Sequence, residues 1–205
     1  MEAHMTKDLK LIIATSNKDK VREIGEILKD TPFEAVSMHE EGLDPEIVED
    51  GKTFEENALI KARTVHALRP ECYVMADDSG ICIDALDGAP GIYSARFCGE
   101  NSTYPEKFKK IFEMLADVPE EKRTAKFCCS IAVVRPDGTD FTVRGEVCGV
   151  LHEEPQGEGG FGYDPIFYVP EFGMTTAQMT KEQKNAISHR GKALRAMAEK
   201  LKTDF

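Results

Sequence analysis

The sequence predicts an α/β fold with an elongated, mixed and twisted central sheet flanked by helices. We expect two lobes with the active site in the cleft between them. Three patterns lead to this prediction: apolar runs alternate with amphipathic helices early in the chain, a long β-hairpin follows, and helical periodicity closes the sequence. Alternation of strands and helices is typical of parallel strand pairs, whereas a long hairpin adds antiparallel strands.

Composition limits the classes of function. The 205 residues are 41% apolar and 31% charged, and the net charge is -11. This charge argues against binding of DNA or RNA, because such binding depends on Lys and Arg neutralising phosphates. A small phosphorylated ligand remains compatible, since it needs only a local group of cations and a divalent metal.

The cellular setting is predicted from what the sequence lacks. The six cysteines show no zinc-ligand spacing, no secretory leader is evident, and no apolar run approaches the ~18 residues of a membrane span. We expect a cytoplasmic protein with reduced thiols and no membrane contact. Residues 1–8 are predicted to be a disordered start or a tag remnant, and residues 9–205 a single two-lobed domain.

The first predicted element is a strand over residues 9–14, followed by a polar turn and an amphipathic helix. Ser16 or Asn17 can cap this helix, and its first amides together with Lys18 and Lys20 would attract an anion such as a triphosphate. The alternative is an ordinary helix cap with surface lysines.

A second strand is predicted over residues 33–38, and a polar, acid-rich loop over residues 40–51. Thr53 and Glu56 form a capping-box pattern that starts a helix through about residue 68. Lys61 lies at the edge of the packing face of this helix. Its ammonium either extends to solvent or reaches phosphate oxygens in a cleft.

Two adjacent carboxylates follow a short predicted strand over residues 72–76. Asp77 and Asp78 would lie at the carboxyl end of this strand, where α/β folds bind ligands. Neighbouring strand residues point to opposite faces, so one Asp could face a cation while the other reaches a water or a loop. The alternative is a local turn formed by Asp-Asp-Ser-Gly. More acids, glycines and prolines just downstream favour a functional site.

The next elements are a helix and a hairpin. Thr103 and Glu106 form a second capping box, and the helix that follows ends before Pro119. Residues 126–134 and 141–147 alternate in hydrophobicity around a turn, which predicts a long β-hairpin.

The last part of the chain contains a glycine-rich stretch and two helices. In residues 157–165, Phe161 and Tyr163 could stack on a nucleobase, or they could anchor the core. A helix capped by Thr180 ends near residue 187, and a final helix follows residues 188–191. Lys184, His189 and Arg190 lie near this junction, either as base-reading donors or as solvated surface residues.

Six stretches, in order, resemble the inosine/xanthosine triphosphate pyrophosphatase family. They are Thr15–Lys20, Thr53–Lys61, Ala76–Gly80, Gly88–Arg96, Gly160–Pro165 and Ser188–Gly191. The resemblance extends from about residue 10 to residue 201, and the joint match is far more specific than any single motif. One departure is Asp19, where the family commonly has glycine before the lysine of the first stretch. An acid there disfavours phosphate unless it points away or caps the helix.

The resemblance implies a homodimeric, Mg²⁺-dependent enzyme that hydrolyses ITP, dITP and XTP to the monophosphate and pyrophosphate. It implies Asp78 as the general base and Glu49 and Asp77 as metal ligands. The opposite assignment of the two aspartates, with Asp77 as the base and Asp78 as the ligand, is the alternative. The implied substrate-binding residues are Thr15, Ser16, Asn17, Lys20, Lys61, Ser79, Phe161, Gly162, Tyr163, Asp164, Lys184, Ser188, His189 and Arg190. The rival interpretations are a phosphatase of the Asp-x-Asp nucleophile type, a motif that we do not find after a strand, and a nucleotide-sensing module without turnover.

Overall fold

The structure, a computed structural model, describes residues 9–15 and 18–204, without the side chains of Lys18, Asp19 and Glu23. Within this range the chain forms seven strands and five α-helices, joined by turns and short 3₁₀ helices. The strands are β1 (Leu9–Ile13), β2 (Phe33–Ser37), β3 (Tyr73–Ile83), β4 (Thr124–Val134), β5 (Asp140–Leu151), β6 (Phe167–Val169) and β7 (Met174–Thr175). The helices are α1 (Lys18–Ile27), α2 (Phe54–His66), α3 (Tyr104–Met114), α4 (Lys181–Ile187) and α5 (His189–Leu201).

The strands form one mixed sheet in the order β2-β1-β3-β4-β5-β6-β7. β1 pairs in parallel with β2 and β3, because α1 and α2 return the chain to the same edge before each new strand. β5, β6 and β7 pair antiparallel in succession. The predicted α/β class with a mixed sheet is therefore confirmed, whereas the cleft between two lobes stays a prediction.

The chain divides into two compact units. Of the described residues, the first unit comprises 9–15, 18–78, 130–144 and 193–204, and the second comprises 79–129 and 145–192. The first has a core of buried residues from β1, α2, β3 and β4, among them Ile12, Ala58, Ala62, Val65, Val74 and Ala132. The second has its own core, which includes Ile81, Ile83, Ile111, Leu115, Ile166 and Phe167.

The strand that carries the aspartate pair is longer than predicted. The expected end after residue 76 is wrong, because β3 continues through Asp77 and Asp78 to Ile83. Ile81 and Ile83 are fully buried in the second unit, so the strand has an apolar anchor beyond the acids as well as before them. The alternative of an Asp-Asp-Ser-Gly turn is thereby excluded.

Helix caps agree with the sequence except at one position. Thr103 with Glu106, and Thr180 with Gln183, form complete capping boxes at α3 and α4. At α2 the Thr53 hydroxyl accepts from the Glu56 amide, but the Glu56 carboxylate accepts from the amide of Lys52 instead of Thr53. The start of α2 is still stabilised by two side-chain hydrogen bonds, because the amides of Lys52 and Glu56 both have acceptors.

Two short strands, β6 and β7, were not predicted. They are three and two residues long, so alternation of hydrophobic residues has too little length to be recognised. In the part of the chain that the structure describes, no helix combines the length and the apolar character that a membrane crossing requires.

Candidate active site

Asp77 and Asp78 contact different cations because they are neighbours on one strand. The Lys20 ammonium, from α1, lies 2.9 and 3.0 Å from the two carboxylate oxygens of Asp77. The Lys61 ammonium, from α2, lies 3.8 Å from Oδ1 of Asp78 and 3.2 Å from Oε2 of Glu49. All five side chains belong to the first unit, and we call them, together with Asn57, the charged cluster.

The burial of these groups makes their charges interact more strongly than surface charges do. The side chains of Asp77, Asp78 and Lys61 retain 10%, 14% and 14% of their exposure, respectively. Charges at such positions are screened less by water and salt than fully exposed pairs. Each carboxylate thus remains beside positive charge, and each ammonium lies where it can reach an anionic ligand.

Helix α2 presents its polar side chains to β3 because of its periodicity. Phe54, Ala58, Ala62 and Val65 form its buried face, as predicted. Asn57 and Lys61 are separated by one turn, so both project on one side of the helix. Asn57 donates through Nδ2 to Asp78 Oδ2 at 3.1 Å, and its Oδ1 accepts from the Gly51 amide at 2.9 Å.

The predicted metal ligands are not gathered into an obvious metal centre. Among residues 9–15 and 18–204, no group of three or more His, Cys, Asp and Glu side chains is placed to hold an ion. Glu49 and Asp77 nevertheless supply carboxylate oxygens, the donors that Mg²⁺ prefers, and each lies next to an ammonium. The donor chemistry fits a hard cation that takes its remaining ligands from phosphate and water.

Asp164 is the hub of a second cluster, which lies in the second unit. Its carboxylate accepts from the Lys184 ammonium, from the Phe161 amide at 2.8 Å and from the Thr176 hydroxyl at 2.8 Å. Asp164 is only 4% exposed, so these donors replace the water that the charge loses. The carboxylate therefore fixes the end of the glycine-rich stretch.

Phe161 is 66% exposed, which is unusual for a large aromatic residue. The Lys184 ammonium and the Arg190 guanidinium lie 5.7 and 6.0 Å from its ring centroid. An accessible ring with two cations near it offers a planar apolar surface with hydrogen-bond donors beside it. We call Phe161, Asp164, Lys184 and Arg190 the aromatic cluster.

Tyr163, in contrast to Phe161, has its side chain buried in the core. It is 5% exposed, its ring meets that of Tyr104 edge to face, and its hydroxyl donates to the Ser94 carbonyl at 2.7 Å. Burial raises the pKa of its phenol, so the hydroxyl remains a donor at neutral pH. Its side chain is a core anchor, as one of the two alternatives proposed, and its contact with substrate stays a prediction.

Ser188 and His189 hold the start of α5. The Ser188 hydroxyl accepts from the Gly191 amide at 3.0 Å, and the His189 ring stacks on Phe127 with centroids 5.0 Å apart. These contacts explain why a polar pair lies at the helix junction. Their predicted contact with a base stays a prediction.

The structure therefore groups the predicted residues into two sets. Of the predicted residues, the charged cluster contains Lys20, Glu49, Lys61, Asp77 and Asp78, and the aromatic cluster contains Phe161, Asp164, Lys184 and Arg190, next to Gly162. Thr15 follows β1 and Ser79 follows Asp78 on β3, both half-buried. Ser16 and Asn17 lie outside the described residues.

Asn57 and Thr176 were not predicted as site residues, although both bond to predicted ones. Asn57 lies one turn before Lys61 on the same helix, and this spacing was the signal that could have identified it. Thr176 is twelve residues from Asp164, and only the pairing of β6 with β7 brings it close. No local pattern in the sequence predicts that contact.

The fold and the charged cluster define the class of protein. It is an α/β protein with two neighbouring carboxylates on an inner strand and a lysine beside each, a charged site suited to phosphorylated ligands. The particular family follows from comparison: the chain belongs to the Ham1 family, whose model matches residues 11–200. A dITP/XTP pyrophosphatase from Geobacter sulfurreducens is 50% identical over 192 residues, which cover 94% of this chain and 96% of the relative. One of the same name from Desulforamulus reducens is 48% identical, with 93% and 94% covered.

Solved structures agree with this assignment. The Ham1 protein of Staphylococcus aureus matches with a TM-score of 0.88 and 38% identity, covering 96% of this chain and all of that one. A HAM1 protein from Coxiella burnetii matches with a TM-score of 0.89 and 39% identity, covering 95% and 99%. The fold of this chain is therefore the fold of that family.

Proposed function

We propose that this protein hydrolyses non-standard purine nucleoside triphosphates, such as dITP, ITP and XTP, to the monophosphate and pyrophosphate with the help of Mg²⁺. The observation that carries this proposal is the charged cluster, in which two adjacent carboxylates each lie beside a lysine. The names of relatives that are 45–50% identical over almost the whole chain support the same substrate class. We also propose a homodimer, on the resemblance alone.

The charged cluster supplies the groups that hydrolysis at the α-phosphorus requires. A water oxygen bonds to the α-phosphorus, the bond to the oxygen that bridges to the β-phosphorus breaks, and its electron pair leaves with pyrophosphate. We assign Asp78 as the base that takes the proton from the water. Lys20 and Lys61 neutralise charge on the phosphate oxygens.

Glu49 and Asp77 are assigned as the residues that would hold Mg²⁺. When bound, the ion would neutralise charge on the triphosphate and on the departing pyrophosphate. Lys20 bonds both oxygens of Asp77 in this structure, so its ammonium would have to shift toward phosphate as the metal binds. The long flexible stem of lysine permits this exchange of partners.

The aromatic cluster supplies the groups that recognition of a purine requires. The exposed face of Phe161 can stack on the base, and the donors of Arg190 or His189 reward the O6 acceptor of hypoxanthine and xanthine. Adenine has an amino group at this position and would leave the donor unpaired. Guanine also has O6, so its rejection must depend on its 2-amino group.

Product analysis tests the proposal against both rivals. Incubation with ITP and Mg²⁺ should release IMP and pyrophosphate in equal amounts, with ATP and GTP turned over far more slowly. Release of orthophosphate without pyrophosphate would indicate a phosphatase, and intact ITP after long incubation would indicate a nucleotide-binding module. Loss of activity with EDTA, restored by Mg²⁺, tests the metal separately.

A further inference from the structure

Asn57 is a buried amide that bonds the loop before α2 at one end and the charged cluster at the other. The residue is 1% exposed and is the fourth residue of α2. Its oxygen accepts from the Gly51 amide at 2.9 Å, and its nitrogen donates to Asp78 Oδ2 at 3.1 Å. Buried polar groups are costly unless bonded, and here one side chain satisfies two other groups.

The orientation of this amide is determined by its partners. The Gly51 N–H can only donate, so the Asn57 oxygen must face it, and an ionised Asp78 can only accept, so the NH₂ group must face the carboxylate. Rotating the amide by 180° would oppose two donors at one end and two acceptors at the other. The Gly51–Asn57–Asp78 connection therefore has a single favourable arrangement.

The connection also includes the loop that precedes α2. A side chain at Gly51 would put its Cβ 2.6 Å from Asn57 Oδ1 and 2.9 Å from the Asn57 amide, so this close approach requires glycine. Glu49, two residues earlier, contacts the same Lys61 ammonium that lies near Asp78 Oδ1. Two residues of α2 thus link the loop to the carboxylate of Asp78: Asn57 bonds Gly51 and Asp78, and Lys61 contacts Glu49 and Asp78.

We propose that Asn57 is a positioning residue that sets the orientation of the Asp78 carboxylate and couples it to the loop of residues 49–51. Its bond to Oδ2 and the nearby Lys61 ammonium at Oδ1 define the carboxylate plane. The kinetic consequence rests on the proposed function, because Asp78 is the base only there. The physical coupling between Gly51 and Asp78 does not depend on any activity.

Substitution by aspartate separates the two bonds of Asn57. Asn57→Asp can still accept from the Gly51 amide but no longer donates to Asp78. If Asn57 acts through Asp78, the kcat for ITP should fall by about 10- to 100-fold, as for other residues that orient active groups, while KM changes little. Asn57→Asp with the kcat of the unmodified protein would overturn the proposal, because only the loop bond would then matter.

A double-substitution cycle tests the same point without the added charge. As a single substitution, Asn57→Ala should lower kcat. In the presence of Asp78→Asn it should cause little further loss of kcat, because the two residues act as one unit. Losses that multiply would mean that Asn57 acts independently of Asp78 and would contradict the proposal. Thr64→Ala is the matched control, since it removes a side-chain bond to Ile60 on the same helix and touches no acid.

Amide hydrogen exchange provides the measurement that needs no turnover. In Asp78→Ala the Asn57 amide loses its anchor, so exchange at Gly51 should accelerate by about 10-fold or more, the scale of a lost hydrogen bond to a charged group. In Asn57→Ala, Gly51 should exchange fast whether or not Asp78 is present. Unchanged exchange at Gly51 in Asp78→Ala would overturn the coupling. Coupling without ITP turnover in the unmodified protein would reject the proposed function and keep this inference.

Discussion

Asp77 and Asp78 have different contacts because a strand directs successive side chains to opposite faces. Asp77 contacts Lys20 from α1, whereas Asp78 contacts Asn57 and Lys61 from α2. Two carboxylates with separate partners cannot address one ion with the same geometry. The separation seen in these contacts is the basis for assigning them different functions.

Substitutions of the acids should therefore have different kinetic effects. Asp78→Asn should lower turnover of ITP by about 100-fold or more while nucleotide and Mg²⁺ affinity are nearly kept. Asp77→Asn and Glu49→Gln should instead raise the Mg²⁺ concentration needed for half-maximal rate. Steady-state rates over a Mg²⁺ titration distinguish these outcomes. If Asp78→Asn turns over normally and Asp77→Asn is inactive at saturating Mg²⁺, the two roles must be exchanged.

The two aromatic residues of the glycine-rich stretch should also separate in experiment. Phe161→Ala removes an exposed ring, so it should leave the melting temperature unchanged and raise the KM for ITP by about 10-fold, the scale of one base-stacking contact. Tyr163→Phe removes the bond to Ser94, so it should lower the free energy of unfolding by about 1 kcal/mol with little change in KM. A stability loss in Phe161→Ala with KM unchanged would assign its ring to the core.

Among the connecting segments, the glycine-rich stretch requires a conformation that side chains disfavour. Gly160 has φ +71° and lies against Asp164 and Lys184, where a Cβ would clash with the carboxylate. Gly173 has a similar φ of +63° but only the Tyr168 hydroxyl near it, at 3.8 Å. Backbone strain is therefore common to both positions, and the clash belongs to Gly160 alone.

Alanine substitutions at the two glycines separate strain from the clash. Gly173→Ala should destabilise by about 1 kcal/mol through strain alone. Gly160→Ala should destabilise more and also raise the KM for ITP, because it displaces the carboxylate that orders Phe161. Urea denaturation and ITP kinetics on both variants test this prediction. Equal effects of the two substitutions on stability and KM would reject it.

Helix α2 is attached to the sheet by a charged contact near its start. Glu55 accepts from the Ser130 hydroxyl of β4 and from the Arg144 guanidinium of β5, each at 2.8 Å. Burial alone would raise the pKa of Glu55, but the bond and charge of Arg144, a bond from the Glu55 backbone and the bond from Ser130 together outweigh it, so the pKa lies below its ordinary value. The carboxylate is thus more easily ionised in the folded chain than in the unfolded one.

This shift predicts the pH range over which Glu55 stabilises the protein. A depressed folded pKa gives stability that is present above the unfolded pKa, about 4.3, and is lost as pH falls through the folded pKa. Glu55→Gln should therefore destabilise at pH 7, and the difference from the unmodified protein should shrink below about pH 4. Urea midpoints measured from pH 7 to pH 3 check this. A difference that is constant over the whole range would contradict the assigned cause.

For the whole molecule, the assembly state is a separate prediction, because it rests on the family resemblance and not on any contact of the charged cluster. We expect light scattering to give twice the 22.8 kDa mass of one chain, as the resemblance implies. A mass of one chain at micromolar concentration would remove the dimer and leave the chemistry unaffected. Dilution with activity measured in parallel shows whether turnover depends on assembly.

The sequence by itself determined the α/β class, most helix boundaries and the identity of the charged residues. These features depend on local patterns: Thr103 and Thr180 cap their helices through residues three positions away, and the buried face of α2 repeats at helical spacing. The alternation of Asp77 and Asp78 is also local, so different surroundings for the two carboxylates were expected, although the lysine beside each was not. The family resemblance depends on the same residues, read in order.

Only the tertiary structure decided which partners the side chains have. Lys20 is 57 positions from Asp77, and Asn57 is 21 positions from Asp78, so no periodicity predicts these bonds. The length of β3 likewise depends on Ile81 and Ile83, which are buried by residues far along the chain. Burial also assigned Tyr163 to the core and left Phe161 exposed, although both lie in the same short stretch. Sequence spacing governs interactions within a turn of helix or along a strand, whereas packing between distant segments determines burial and pairing.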